Sequence, residues 1–338
     1  MSFPESESNA QALVVVPAAP ARGSRPREIS PGEQTWRAIA RVLRCLDAVR
    51  DGRIWYVLLS TFAASGLLLA MAQSAFAKGQ NAWGAVQGGL ALFTAFYGAN
   101  AAGWLTMQSA RGVDDATIEQ ALRMALTRAH RLLLMLPLLM AMAAVLGAAI
   151  ALLLWVSRLP VLGPLIYTLV VPLAVVAAGG AALAATAVLV PLSAPAIWAG
   201  LTSWQTLRWL VRVVRHRLAM AAILVSALSL VVGLVGGLVT FIVVLGGQVF
   251  AAASAAMGMA VSRDIVLAGL FGYGLRGLRI ENMAPELLPY AHAALIGGGV
   301  VFAMALVLPA LVYLRGVAEV HLILGDSLDG APSDGPAP

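Results

Sequence analysis

Residues 132–156, LLLMLPLLMAMAAVLGAAIALLLWV, form a continuous stretch without a single charged side chain. A helix needs about 20 apolar residues, at roughly 1.5 Å rise each, to cross about 30 Å of hydrocarbon. This stretch is therefore long and apolar enough to span a lipid bilayer. Similar uncharged stretches recur along the chain, and they decide the predicted fold.

Six uncharged stretches reach the length of a spanning helix. We predict helices at about 54–77, 84–107, 132–156, 165–190, 218–243 and 290–314. A segment in lipid must satisfy its own backbone hydrogen bonds, which favours helices for stretches of this length. The sequence therefore predicts an all-α, polytopic membrane bundle of about six transmembrane helices, arranged in three hairpins with cytoplasmic amphipathic helices.

The composition excludes several other classes of protein. Hydrophobic residues make up 60% of the 338 and charged residues only 11%, whereas soluble domains average nearer a quarter charged residues. An ordinary soluble domain and a disordered chain are both poor matches to these values. The single cysteine, Cys45, cannot form an intrachain disulfide or a thiolate metal cage.

Both ends of the chain differ from the apolar middle. Residues 1–32 are rich in Pro, Ala, Ser and Arg, and residues 325–338 are rich in Asp, Gly and Pro. Segments of these compositions have too few large apolar side chains to form a buried core, so they predict two disordered cytoplasmic tails. The membrane domain is predicted to occupy 33–324.

Two long uncharged runs extend beyond the helices predicted in them. Pro191 and Pro195 are expected to end the fourth helix, which leaves 192–207 as an interfacial segment. After the fifth helix, residues 244–289 form the largest outer loop. Its first part could prolong that helix, fold back into the bundle or form a separate short helix, and the loop as a whole could be periplasmic or re-entrant.

The arginines give the orientation. Of the 22 basic residues, all but Lys78 are Arg. Six spans would place most of them on the side that holds both termini. Because cytoplasmic loops carry an excess of Lys and Arg, both termini are predicted to lie in the cytoplasm of a bacterium, with the protein as a multi-pass inner-membrane protein.

A short pattern precedes the first, third and fifth predicted spans. The pattern has four positions: Gln, then Ala or Thr, then Leu or Trp, then Arg. In the last two copies, Thr117 and Thr202 also occupy corresponding positions. The repeated pairs are Gln34 with Arg37, Gln120 with Arg123, and Gln205 with Arg208. The first copy has about eight additional residues before its span. The pattern suggests an internal threefold repeat.

Each copy of the pattern opens a basic amphipathic stretch. In the first, one helical stripe is apolar, and arginines occupy the other faces. That stripe consists of Trp36, Ile39, Leu43, Leu46 and Val49. Such helices can lie in the membrane interface with Arg toward anionic lipid. The alternative is that they are juxtamembrane connectors that only anchor the spans.

The connectors at 116–131 and 201–217 carry a resemblance to a known family. Spans separated by amphipathic connectors with small residues, Arg and Trp resemble the helical membrane region associated with bacterial glycerophosphodiester phosphodiesterases and its stand-alone relatives. The resemblance covers about 100–320 and implies a fold type. Because only 24 residues follow the sixth predicted span, we expect no catalytic barrel and carry over no catalytic residue.

Polar residues inside the predicted spans are few. Gln87 and Asn100 lie in the second span, and Gln108 lies at its cytoplasmic end. They could line a polar path or a substrate cavity, or they could form hydrogen bonds between helices. Acidic and basic side chains, the usual markers of ion-coupled transport, do not occur in the six predicted span cores.

Glycines at GxxxG spacing predict close helix packing. Gly84 and Gly88 have this spacing in the second span, and Gly233 and Gly237 have it in the fifth. Such positions let two backbones approach closely, where dispersion replaces the missing hydrophobic force. The contact could form within one protomer or between copies.

The sequence offers no convincing catalytic or metal site. The four histidines, His130, His216, His292 and His321, lack the spacing of metal ligands on one helix, and we expect them to be solvated at the interface. No phosphate-binding loop, nucleophile elbow or nucleic-acid module is present. We therefore predict no catalytic residue, no metal, no cofactor and no nucleic-acid partner.

These observations predict a non-enzymatic integral membrane protein. We expect an accessory or scaffold subunit that engages anionic lipid of the cytoplasmic leaflet, with other membrane proteins or further copies of itself as candidate partners. The alternative is a transporter or channel for an apolar or lipid-like substrate. A lipid enzyme that uses Glu281, Glu286 and His292 at the outer face is a third possibility.

Overall fold

The computed structural model describes residues 31–113, 115–159, 162–257 and 288–329. Throughout these ranges the secondary structure is helical, and no strand occurs in them. The all-α prediction is confirmed. The predictions for 1–30, for most of the outer loop, including Glu281 and Glu286, and for 330–338 lie outside the described residues.

Nine α-helices follow one another along the described chain. A 3-10 helix, Arg44–Arg50, follows the first of them, and a π-helical turn, Ala185–Leu189, joins the sixth and seventh. The α-helices are α1 (Pro31–Leu43), α2 (Gly52–Ala77), α3 (Asn81–Ala110), α4 (Ile118–Arg128), α5 (His130–Val156), α6 (Gly163–Ala184), α7 (Val190–Trp198), α8 (Ser203–Ala256) and α9 (Leu288–Asp329).

Five helical segments are long and apolar enough to cross a membrane. They are Gly52–Phe76, Ile118–Val156, Gly163–Trp198, Ser203–Ser254 and Ile296–Leu328. Their length and composition indicate membrane insertion. Helix α3, which contains the second predicted span, is not among them. Its many glycines, alanines and amide side chains make it less apolar than the other predicted spans.

Helices α2 and α3 pack against each other as an antiparallel pair. Gly79 adopts a φ of 73° in the turn between them, a conformation that glycine adopts without strain. Along the pair, Gly84 faces the Phe76 ring and Gly98 lies against Thr61. Gly84 thus lies at the contact between α2 and α3, and Gly88 lies near Ala72 on the same face.

The helix predicted to end at Pro191 continues to Trp198. The π-helical turn ends at Leu189, two residues before Pro191, whose missing N–H removes one helical hydrogen bond. Leu192 and Ile197 in the continuation are buried. The prediction of an interfacial segment beginning at 192 was wrong, because these residues form part of the core.

Helix α8 also extends beyond its predicted span. It begins at Ser203, bends at Arg217, where φ is −136°, and runs on to Ala256. The amphipathic connector and the fifth predicted span therefore form one bent helix. The first part of the stretch after residue 243 prolongs this helix, which was one of the alternatives left open by the sequence.

The buried core lies mainly at one end of the bundle. Helix α9 supplies many of its fully buried side chains, including Leu311, Val317 and Leu324. In contrast, the most apolar 18-residue window of Ile118–Val156 has no buried residue. The exposed apolar surface of these long helices is the surface that a bilayer would cover.

Glycines that the spacing analysis missed make the closest helix contacts. Gly103 of α3 lies directly against the Trp198 ring, and Gly316 of α9 lies directly against Leu228 of α8. By comparison, a Cβ at Gly233 or Gly237 would have no atom within 4 Å. The predicted GxxxG pair of α8 therefore makes no close contact within the described protomer.

We expect Gly103→Leu to lower the thermal unfolding midpoint of the purified protein in detergent. A leucine side chain there would overlap the Trp198 ring, and overpacking of this kind costs roughly 1–3 kcal/mol or more. Gly233→Leu is the matched control and should leave the midpoint unchanged, because its site is open. Equal midpoints for the two variants would contradict the packing described here.

Candidate functional site

The repeated Thr and Gln of the second and third copies are helix caps. Gln120 N–H donates to Thr117 Oγ1 at 3.2 Å, while Thr117 N–H donates to Gln120 Oε1 at 3.1 Å. The same reciprocal pair joins Gln205 and Thr202 at 3.3 and 2.9 Å. These are capping boxes, which satisfy backbone donors at a helix start. Gln120 and Gln205 therefore have a structural role at the beginning of α4 and α8.

The repeated arginines Arg37, Arg123 and Arg208 are all exposed. The Arg208 guanidinium lies 5.8 Å from the ring centre of Trp204, which is itself 59% exposed. The structure does not bring the three arginines into one contact cluster. They mark corresponding positions on three separate helices, and the side chain of Gln34 lies outside the described part.

The first amphipathic segment turns small residues toward the protein. Ala38, Val42 and Cys45 of α1 and the 3-10 helix are buried. The larger apolar side chains point outward, as in Trp36, 72% exposed, and Leu46, 47% exposed. The predicted apolar stripe is thus largely the exposed face. The 3-10 helix itself, Arg44–Arg50, accounts for the additional residues of the first copy.

Hydrogen bonds connect the end of the first amphipathic segment to the second, and the end of the second to the third. Arg53, at the start of α2, donates through Nη1 to the carbonyl oxygen of Ala116 at 3.1 Å. Ser203, at the start of α8, donates to the carbonyl oxygen of Arg131 at 3.2 Å. These bonds hold neighbouring amphipathic segments together at their ends.

A buried carboxylate lies near the centre of the arginine-rich end. Glu319 of α9 accepts from Arg41 Nε at 3.1 Å and pairs with Arg315 Nη2 at 3.0 Å. Arg315 Nη1 also donates to Ser109 Oγ of α3 at 3.1 Å. Arg41 reaches Asp326 as well, at 3.4 Å. This network joins α1, α3 and the final turns of α9.

The arginines of α4, α5 and α8 have a different environment. Residues 120–263 contain no Asp or Glu. In the described ranges, ion pairs join Arg41, Arg53 and Arg315 to carboxylates, and none of these three arginines belongs to the acid-free stretch. The middle of the chain therefore presents a positive charge that its own carboxylates do not neutralise.

The three residues of the predicted polar path do not form one continuous path in the structure. Asn100 accepts a hydrogen bond from Trp198 Nε1 at 3.0 Å and donates to the carbonyl oxygen of Phe96 at 2.8 Å. Gln87 is buried 13 residues earlier, about 20 Å along the helix axis, and Gln108 is half-buried near its end. Asn100 thus makes an interhelical hydrogen bond.

The space beside Asn100 is too small for a substrate. A crevice there is bounded by Trp104, Arg128 and Trp198 and holds about 10 Å³. That is roughly the smallest volume that accommodates one water molecule. A substrate cavity at this position finds no support in the geometry.

The four histidines do not form a common site. His130 and His216 are exposed, as expected. His321 is 7% exposed and lies with its ring centre 4.4 Å from that of Trp209. The prediction of a solvated His321 was wrong, because α9 continues into the core. The side chain of His292 lies outside the described part, and no metal-binding group of three ligands occurs among the described residues.

Comparisons with known proteins returned no match. No protein-family model fits the chain, and no curated protein or solved structure is significantly similar to it.

We expect Glu319→Ala to destabilise the protein by roughly 3 kcal/mol, because it leaves the largely buried Arg315 guanidinium without its carboxylate. The measurement is the midpoint of thermal unfolding in detergent. Asp326→Asn is the matched control, since the Asp326 side chain is 73% exposed and such pairs contribute under about 1 kcal/mol. A Glu319 variant as stable as the control would show that the network has no structural role.

We expect Cys45 to resist alkylation in the folded protein. Burial raises the pKa of the Cys45 thiol to about 11, so the reactive thiolate is roughly 100-fold rarer at neutral pH than for an ordinary thiol. The test measures N-ethylmaleimide labelling at pH 7.5 by mass spectrometry. Lys78→Cys, in an exposed turn, provides a second thiol as an internal control. Equal labelling rates at the two positions would refute the burial of Cys45.

Proposed function

We propose that this chain is a non-enzymatic multi-pass membrane protein that engages anionic lipid through its arginine-rich end. The observation that carries the proposal is the acid-free stretch 120–263. Its arginines flank long apolar helices and are not neutralised by carboxylates of the same stretch. An anionic leaflet provides the missing negative charge, at about 1 kcal/mol per basic residue near the surface.

The exposed apolar side chains of the short helices support the same function. Leu122 and Leu126 of α4 are 44% and 55% exposed, and they share that helix with Arg123. Trp36 and Trp204 extend the pattern to α1 and α8. Large apolar residues beside arginine are typical of helices that lie in the membrane interface.

The proposed arrangement has six spans in three hairpins, with α3 as the span of lowest hydropathy. Both termini would be cytoplasmic in a bacterial inner membrane, because that orientation places most arginines inside. The resemblance to the membrane region of glycerophosphodiester phosphodiesterases is compatible with this arrangement and adds no activity.

We further propose an accessory or scaffold role with other membrane proteins, or further copies of the chain, as partners. The open glycine positions Gly233 and Gly237 support this role, because another helix could approach α8 closely there. The bond between Asn100 and Trp198 leaves the transporter or channel alternative without a specific supporting observation.

The test compares the lipids that co-purify with the full chain after mild detergent extraction. The wild-type protein should be enriched in anionic phospholipid relative to the bulk membrane. The triple variant Arg37→Gln, Arg123→Gln, Arg208→Gln should lose most of this enrichment, since three charges leave the lipid-facing helices. The capping glutamines stay unchanged, so the helix starts are preserved.

The control is the double variant Lys78→Gln, Arg158→Gln, in which both changed residues are exposed and follow the far ends of α2 and α5. It should retain the enrichment. If the wild-type protein carried lipid in the bulk ratio, or if the control lost as much enrichment as the triple variant, the proposed function would be wrong.

A further inference from the structure

The three junctions between amphipathic segment and long helix differ in how their arginines are paired. Arg53, at the first junction, lies 3.4 Å from the Asp51 carboxylate. Arg217, at the third, donates to the carbonyl oxygen of Ser327 at 3.0 Å. At the second junction, the guanidiniums of Arg128 and Arg131 have neither a hydrogen bond nor an ion pair within the described ranges.

The second junction is packed against the turn between α7 and α8. The Nη1 atom of Arg128 lies 3.5 Å from where a Cβ at Gly200 would be. Ser203 bonds to the backbone of Arg131, and the exposed Trp204 follows it. The end of α4, the start of α5 and the start of α8 are therefore adjacent, so Arg128, Arg131 and Trp204 lie in one region of the molecule.

Both arginines at this junction are half-buried. Partial removal of a guanidinium from water is costly unless an anion or hydrogen-bond acceptors replace the lost solvent. Residues 120–263 contain no Asp or Glu, so this stretch supplies no carboxylate to pair with either guanidinium. The junction thus carries two positive charges without an anionic partner among the described residues, which suits the binding of an anion from outside the chain.

The position of the junction indicates which anion fits. Arg131 is the second residue of α5, and the apolar run that crosses the bilayer begins at Leu132. Lipid phosphates lie at that level of a membrane. Arginine is also well suited to phosphate, because its planar fork donates two parallel hydrogen bonds.

We propose that Arg128 and Arg131 bind the phosphodiester headgroup of one anionic phospholipid. This inference rests on the proposed function and adds a discrete site to it. The first junction does not provide an equivalent site, since Arg53 already has the Asp51 carboxylate. The site therefore belongs to the second of the three repeated units.

The test titrates the full-length protein in detergent with phosphatidylglycerol and counts the retained lipid by native mass spectrometry. The wild-type protein should retain one molecule per chain. Arg128→Gln, Arg131→Gln should bind roughly 30-fold more weakly, because two charges leave the site. The control, Arg44→Gln, Arg50→Gln, removes the same charge from the exposed 3-10 helix and should bind as the wild type does.

The same experiment is repeated with phosphatidylcholine as the lipid, and with inorganic phosphate as a competitor. The site predicts weak retention of the zwitterionic lipid and no displacement of phosphatidylglycerol by millimolar phosphate. Displacement by phosphate alone would identify a soluble anion as the ligand and overturn the proposal. If the double variant does not fold, as judged by its unfolding midpoint, the single variants Arg128→Gln and Arg131→Gln should each bind roughly fivefold more weakly.

The outcomes separate the site from the proposed function. If the Arg44 and Arg50 control lost as much binding as the junction variant, the discrete site would be refuted, while enrichment of anionic lipid on extraction could still stand. If no phosphatidylglycerol were retained and the extracted protein showed no enrichment, both proposals would fail together.

Discussion

The free-energy cost of removing a charged group from water determines where the charged side chains of this protein lie. Guanidinium and carboxylate groups avoid hydrocarbon unless they are paired and hydrogen-bonded. Long stretches of the chain therefore lack both, and the ionised side chains gather at helix ends. The one buried carboxylate described, Glu319, has an arginine on either side, Arg41 and Arg315. Its pairing connects the final turns of α9 to α1, the first helix of the described residues.

The same constraint explains the contrast between the two groups of arginines. Where α1, α2 and α9 meet, Arg41, Arg53 and Arg315 have carboxylate partners. In α4, α5 and α8 the arginines lie on an acid-free part of the chain, beside exposed apolar side chains. An environment that is apolar on one side and anionic on the other would satisfy both features, and the cytoplasmic face of a membrane provides it.

The sequence predicted the helical class and the five helical segments that are long and apolar enough to cross a membrane, because their signal is local: each depends on the absence of charge over about 20 residues. The repeated Thr and Gln were also visible, and the capping boxes at Thr117 and Thr202 now give them a physical role. The additional residues of the first copy correspond to the 3-10 helix.

Contacts between distant parts of the chain were not predictable in the same way. Trp198 was assigned to an interfacial segment, yet it lies against Gly103 and bonds to Asn100, residues about a hundred positions away. His321 is expected in solvent from the sequence, because nothing in its sequence neighbourhood shows that this part of α9 lies in the core. Small residues such as Gly316 could be recognised as packing sites only once their partners were known.

The most direct test of the account is the sidedness of the arginine-rich end. Single cysteines placed at Lys78 and at Arg111 lie in turns at opposite ends of α3, while the buried Cys45 should stay unlabelled. With a membrane-impermeant maleimide, Lys78→Cys should be labelled in intact spheroplasts, and Arg111→Cys only after permeabilisation. Labelling of Arg111→Cys in intact spheroplasts would contradict the account.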